Sequence, residues 1–354
     1  MNIADTVTTA ARNAWALTFG SGVEAPDPTP STVLWNEPHR QLRRFEHRPG
    51  DAGTAAAATD STVLLVPPLA APASCFDLRP DQSLAGFLLA TGRAPYVIDY
   101  GDISFADRRM GFEDWIDEIL PEAVLRTSAD RGGAPVDLVG WSLGGTLALL
   151  TAAANAELPI RSITAVGAPL DYDKLTGIPQ LRAVAKFTGG IGTSTLVRAA
   201  GGVPASLTRI GYKITAWDRE LTRPWFVASN IARTETLARM ETIDRFMAAM
   251  PGYPGRFYGQ LWGRLILNND IGRGVVQLGR RRIELAQVTA PVLLVGGPTD
   301  VITPAAAVEA GTRTLTGAAA VRYETAPGSH LGILTGPDAR ATTWAYLDKF
   351  LSAA

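Results

Sequence analysis

Ser142 lies in Gly140-Trp141-Ser142-Leu143-Gly144, between an apolar run, Val136-Asp137-Leu138-Val139, and a helix-forming run from Thr146 to Ala154. A serine hydroxyl is a poor nucleophile near neutral pH and needs an exposed perch and a base. A sharp strand-to-helix turn supplies the perch, with the serine backbone held in a strained conformation. The residues flanking it must be tiny, and Gly140 and Gly144 remove the Cβ atoms that would collide there. A bare G-x-S-x-G arises easily by chance in a chain with 35 glycines. Placed between a strand and a helix it reads as a nucleophile elbow, the alternative being an ordinary glycine-rich turn.

The chain holds three histidines. His39 and His47 sit among charges between Glu37 and Arg48, a stretch that reads as an exposed hairpin, and both read as surface polar residues. His330 lies in Ala326-Pro327-Gly328-Ser329-His330-Leu331-Gly332, after a strand-like run from Ala319 to Thr325 and before a last helix expected over Pro337 to Ser352. Such a loop can deliver an imidazole to the elbow as general base; a structural histidine is the alternative. The acid is expected between nucleophile and base in chain order. Pro291 to Gly297 reads as a buried strand, and Asp300 stands just past its carboxyl end, where catalytic groups gather in open sheets. There it would accept a hydrogen bond from His330 and stabilise the imidazolium. Asp300 could instead cap a helix before Pro304. Asp171, after the strand Ile163 to Gly167, is the reserve acid.

An oxyanion needs two backbone donors. One is the N–H after the nucleophile, Leu143. The other is expected from the loop after the strand Val63 to Val66. Pro67 and Pro68 cannot donate, so Leu69 is the first candidate, with Ala70 next.

Composition bounds the rest. With 354 residues the chain can bury one large core or a core with an insertion. The formal net charge of −1, from 33 basic and 34 acidic residues, gives no long-range attraction to nucleic acid, and no such partner is expected. Disorder is expected only near Glu24 to Thr32 and Gly50 to Asp60. The single cysteine, Cys75, excludes an intramolecular disulfide and suits a reducing compartment. It lies outside any elbow and is a remote candidate nucleophile. No zinc cluster and no cofactor are expected from so few histidines and cysteines. No run is apolar enough to span a membrane, and Met1 to Gly20 lacks the basic start of a secretory signal, so a cytoplasmic location is expected. Ile3, Val7, Ala10, Ala14, Trp15, Leu17 and Phe19 form one apolar face of an N-terminal helix, expected to pack on the body. Peripheral contact of that face with a lipid surface or a lipid inclusion is the alternative, and a homodimer stays open.

Strands alternate with helices from Thr62 to about Gly167, with helices expected over Gln82 to Thr91 and Phe112 to Ser128. The alternation stops between about Tyr172 and Gln287, where aromatics such as Trp217, Trp225, Phe246, Phe257, Tyr258 and Trp262 lie in helix-like stretches. Alternating elements mean a mainly parallel sheet with right-handed crossovers. Together with the elbow this implies an α/β-hydrolase fold: helices on both faces of the sheet and an inserted helical cap. The expected division is residues 1–32 as N-terminal helix and linker, 33–171 as the first part of the core, 172–287 as the cap and 288–354 as the second part. A cap shapes an apolar pocket and excludes water. Arg280-Arg281-Arg282 reads as a solvated basic cluster, or as a dock for a phosphate-bearing substrate such as a coenzyme A thioester.

Several segments, as a set, resemble the polyhydroxyalkanoate synthase family. They are Val66-Pro67-Pro68 followed by Asp77 to Leu84, then Tyr96-Val97-Ile98-Asp99-Tyr100-Gly101 and Pro169-Leu170-Asp171-Tyr172. Tyr258 to Asn269, Asp300-Val301-Ile302-Thr303-Pro304 and Gly328-Ser329-His330-Leu331-Gly332 complete the set. The resemblance runs from about Val33 to the C-terminus. It implies a cap-bearing acyl-transfer enzyme with Ser142, Asp300 and His330 as its triad. The family carries cysteine where this chain has Ser142. Thiolate suits repeated thioester exchange, whereas serine suits ester hydrolysis. Serine-bearing sequences similar to that family carry a lipase-like assignment, which points to fatty-acyl esters. The expected activity is therefore that of a carboxylic ester hydrolase acting through an acyl-enzyme on Ser142, with a long-chain acyl ester or an acyl-CoA as substrate. A synthase-like acyltransferase and a non-catalytic binding protein are the rivals.

Overall fold

Three runs of the chain, Thr62–Val66, Val136–Trp141 and Val292–Gly296, are buried along their whole length, as strands in the middle of a two-sided parallel sheet must be. The computed structural model describes residues 3–48, 61–180, 182, 202–207 and 217–353. The connector expected over Gly50 to Asp60, and residues 181, 183–201 and 208–216 of the expected cap, lie outside the described residues.

The main sheet has eight strands: β1 (Ser31–Glu37), β2 (Arg40–Phe45), β3 (Thr62–Val66), β4 (Ala94–Asp99), β5 (Val136–Trp141), β6 (Ile160–Val166), β7 (Val292–Gly296) and β8 (Val321–Thr325). Their spatial order is β1-β2-β4-β3-β5-β6-β7-β8. The six strands from β3 onward run parallel, and the β1–β2 hairpin adds antiparallel along β4. The chain moves from β3 to β4 on one side and then returns to β5 on the other. That reversal opens a crevice at the carboxyl ends of β3 and β5, where ligands bind in open sheets.

Successive side chains alternate between the two faces. Leu64 and Val66 join one apolar cluster, with α3 (Leu120–Asp130), the π-helical turn Asp114–Ile119 before it, and α4 (Leu143–Ala154). Val63 and Leu65 join a second cluster with α2 (Leu84–Ala90) and the last helix, Thr343–Leu351. Each fully buried leucine contributes roughly 1.5–3 kcal/mol. Asp137 is the charged exception inside β5. Its buried carboxylate accepts from Ser61 Oγ (2.9 Å), Ser162 Oγ (2.6 Å) and Arg161 Nε (2.9 Å). The helix expected from Gln82 starts at Leu84 because Ser83 caps it, its Oγ accepting the Gly86 amide at 2.8 Å.

The N-terminal helix α1 (Ile3–Phe19) differs from expectation. It docks through a polar residue: Asn13 Nδ2 donates to Ile231 O (2.8 Å) and Thr234 Oγ1 (3.0 Å). Trp15 and Phe19 are 66% and 72% exposed, and their rings meet each other at 4.8 Å rather than the body. The segment Glu24 to Thr32, expected to be disordered, is tied down. Thr29 donates from N and Oγ1 to Asp77 at 2.7 and 2.8 Å, and Arg48 reaches Asp27 at 2.7 Å.

Between β6 and β7, none of the described residues enters the main sheet. Two helices lie here, α5 (Trp217–Asn230) and α6 (Thr234–Ala248), followed by a short helix Gly255–Gln260 and a hairpin Val275–Leu278/Arg281–Glu284. Its aromatics do not share one environment. Phe257 joins the core, stacked on Phe112 at 4.1 Å, whereas Trp225 is 78% exposed. No helix among the described residues is long and apolar enough to cross a membrane.

Candidate active site

Ser142 is the single residue between β5 and α4, and its φ of 54° and ψ of −130° fall outside the regions open to most side chains. Such a conformation costs about 1–3 kcal/mol and persists only where its surroundings enforce it. Here they do. A Cβ on Gly140 would stand 2.5 Å from the Gly145 backbone, and one on Gly144 would stand 2.2 Å from Val66 O. The Ser142 amide donates to Val166 O at 2.8 Å, which pins the turn to β6.

His330 follows β8 and is buried, as is Asp300 past the end of β7. His330 Nε2 lies 2.8 Å from Ser142 Oγ, and His330 Nδ1 lies 2.6 Å from Asp300 Oδ2. Asp300 Oδ1 accepts the amides of Ile302 and Thr303, each at 2.9 Å. A carboxylate is acceptor-only, so Nδ1 carries the proton toward Asp300, and in the neutral ring Nε2 accepts from the serine hydroxyl. Gly167, at the end of β6, has φ +59°, and a Cβ there would stand 3.3 Å from His330 Cε1. Sequence reasoning passed over Gly167 and Gly145, whose demand for a bare Cα becomes visible only when β6 lies beside the elbow.

Leu143 is the first residue of α4, so its N–H is one of the donors a helix leaves without an intrahelical partner. Leu69 lies in the turn after Pro67-Pro68. The approach of Gly144 to Val66 O and to Pro67 brings that loop against the first turn of α4. Neither N–H donates to a protein acceptor among the described residues. The two loops thus meet beside Ser142, with the positive end of the α4 dipole between them.

The remaining candidates stand elsewhere. Asp171 Oδ1 accepts from Asn269 Nδ2 (2.8 Å) and from the Asp173 amide (2.9 Å), so it braces the loop after β6 and makes no bond to His330. Asn269, with φ +53°, also accepts the Tyr172 amide at 2.8 Å. It therefore joins the two ends of the segment between β6 and the hairpin, a role no sequence pattern announced. His39 is not the exposed residue expected. It sits at the β1–β2 turn with φ +61°, and its ring bridges Tyr100 O and Asp107 Oδ1, each at 2.9 Å. His47 is exposed. Cys75 is fully buried, and that burial pushes its thiol well up, which disfavours a reactive thiolate. Arg281 pairs with Asp117 and donates to Ala154 O at 2.7 Å, at the far end of α4. At 1.5 Å per residue that is about 18 Å from Ser142. Arg281 therefore stands at the end of α4 opposite Ser142, held by protein partners. Arg282 turns instead to Glu284 at 2.7 Å.

No protein-family model matches the chain. It is 23% identical over 329 residues to the poly(3-hydroxyalkanoate) polymerase subunit PhaC of Allochromatium vinosum, covering 92% of this chain and 88% of that one. It is 21% identical over 277 residues to the subunit of the same name from Haloferax mediterranei, covering 78% of this chain. The chain spans only 54% of the length of that relative. Among solved structures, the mouse alpha/beta hydrolase domain-containing protein 10 superposes with a TM-score of 0.50 at 14% identity, covering 92% of this chain and 99% of that one. The chain is an α/β-hydrolase by fold, and its sequence is similar to those of poly(3-hydroxyalkanoate) polymerase subunits.

Proposed function

We propose that the chain is a serine hydrolase that cleaves carboxylic esters of long apolar acyl groups. The observation that carries this reading is the unbroken line Asp300–His330–Ser142, with contacts of 2.6 and 2.8 Å. Ser142 Oγ attacks the ester carbonyl carbon while its proton moves to His330 Nε2. Asp300 holds the imidazolium, and the N–H groups of Leu143 and Leu69 receive the negative oxygen. The carbon–oxygen bond to the alcohol then breaks, and the alcohol leaves with the proton from Nε2. Water, giving its proton to the same nitrogen, attacks the acyl-serine and releases the acid.

Residues 172–287 serve in this reading as a cap inserted between core parts 33–171 and 288–354, with 1–32 as an N-terminal helix and linker. In support, α6 brings Phe246 to 6.4 Å from the ring of Trp141, next to the nucleophile. An apolar cover excludes water and favours apolar chains.

A second reading, acyl transfer from a coenzyme A thioester to an alcohol, is supported by the polymerase relatives. The serine in place of the synthases' cysteine favours hydrolysis. Ester and hydroxyacyl-CoA substrates of graded chain length, with products identified by mass spectrometry, separate the two. Free acid from the esters supports hydrolysis. Transferred ester or polymer supports transfer. Absence of turnover with both, and no adduct with a fluorophosphonate, supports a non-catalytic protein.

A further inference from the structure

The residue before the nucleophile does more than precede it. Trp141 closes β5 and is buried. Its Nε1 donates to the backbone carbonyl of His330 at 3.0 Å, a buried bond across 189 residues of chain. Its ring lies 5.1 Å from the imidazole, tilted by 37°. On another side it meets Phe246 of α6.

We propose that Trp141 is a positioning residue that sets the Ser142–His330 contact by clamping the histidine loop onto the nucleophile strand. The proposal rests on the reading of Ser142 as nucleophile and His330 as base. The histidine loop closes on itself through the Ile333 amide to Ser329 O (2.9 Å) and the Gly332 amide to Ser329 Oγ (3.3 Å), and its bonds to the sheet are few. Strand pairing between β7 and β8 ends at Gly296 and Thr325, with one further bond from the Ala326 amide to Gly296 O. Beyond it, Thr299 Oγ1 donates to Gly328 O at 2.8 Å from an exposed position. Asp300 holds the imidazole at Nδ1 but does not hold the main chain that carries it. The Trp141 N–H fixes the His330 main chain, and the indole covers part of the ring, which leaves Nε2 directed at Ser142. Loss of the donor would leave a buried carbonyl unpaired, a driving force for the loop to shift. A displacement of about 1 Å in a catalytic group can cost about 10²-fold in rate.

The test compares wild type with Trp141→Phe, which keeps a ring and removes the donor. A second variant carries benzothienylalanine at position 141, which keeps the indole shape and removes only the N–H. Steady-state kinetics on a cleaved ester, the rate of fluorophosphonate labelling at Ser142 and thermal unfolding are measured. The downfield proton resonance of the His330–Asp300 hydrogen bond is followed as a signature of ring placement. Both variants are expected to lose about 10–100-fold in kcat and labelling rate with KM within about twofold, and the resonance is expected to move or broaden. If both fold and keep wild-type kcat, labelling rate and resonance, with only the melting temperature lowered, Trp141 is a packing residue and the proposal falls. Failure of the wild type itself to take label or turn over would remove the nucleophile reading, and the clamp with it.

Discussion

Asp300 Oδ2 lies 2.6 Å from His330 Nδ1, while Asp300 Oδ1 accepts the amides of Ile302 and Thr303. The carboxylate is therefore oriented from behind. In Asp300→Asn, two amides would still favour the amide oxygen at the Oδ1 position, which turns the NH₂ group toward His330 and disfavours the productive tautomer. Turnover is expected to fall by about 10⁴-fold with a folded protein. Asp171→Asn is expected to leave kcat within a few-fold of wild type, because Asp171 spends its bonds on Asn269 and Asp173. Steady-state kinetics on both variants decides, and the opposite ranking would reassign the acid.

The closest backbone approach at the elbow is that of Gly144 to Val66 O, at 2.2 Å from an added Cβ. Gly144→Ala must push the loop of Pro67 to Leu69 away from α4. The expected result is a loss of about 1–3 kcal/mol in stability, typical of overpacking, together with a drop in kcat as the donor at Leu69 moves. Thermal unfolding and kinetics on the same preparation measure both. An unchanged kcat would place the second oxyanion donor elsewhere.

Helix α6 is fastened to the core by ion pairs around Arg79, which reaches Glu235 at 2.6 Å, Asp81 at 2.9 Å and Glu24 at 3.0 Å. Hydrogen bonds from Arg79 and then Arg239 lower the Glu235 carboxyl to about 2. A carboxyl lowered on folding stabilises above its unfolded value and ceases to do so as pH falls through its folded one. The contribution is therefore expected to be intact above about pH 5, to fade below the ordinary glutamate value near 4.3, and to vanish near pH 2. Glu235 is largely exposed, so its worth at pH 7 is expected to be modest, on the order of 1 kcal/mol or less, and smaller in high salt. Glu235→Gln should lower the unfolding temperature at pH 7 and have no effect near pH 2. A penalty that persists at low pH would mean that packing rather than charge holds the helix.

Cys75 is buried and its thiol is raised by that burial. The native protein is expected to resist alkylation by iodoacetamide, and Cys75→Ala is expected to keep wild-type kcat on esters. Loss of all turnover in a folded Cys75→Ala protein would shift the nucleophile away from Ser142.

The elbow was legible because its chemistry imposes residue types: only glycine tolerates the approaches at 140 and 144. His330 was legible by elimination and by its place after the last strand. Asp300 was read ahead of Asp171 from its place past the carboxyl end of a buried strand; that it is the one to reach His330 follows from the spatial order of β6, β7 and β8. The β6–β7 pairing joins segments far apart in sequence. His39 was misread for the same reason, because its left-handed turn points the ring at Asp107, 68 residues on. The α1 face was misread because, at about 100° per residue, Trp15 and Phe19 lie on the side of the helix away from Ala10 and Leu17. Asn13, three residues after Ala10 and four before Leu17, shares their side and makes the contact.

The central claim is that Ser142 becomes acylated with His330 as its base. Incubation with a fluorophosphonate, digestion and mass spectrometry test it directly. The account predicts a single adduct on the peptide bearing Ser142, absent from Ser142→Ala and strongly slowed in His330→Ala, each of them still folded. Label on another residue, or equal labelling of Ser142 when His330 is replaced, would contradict it.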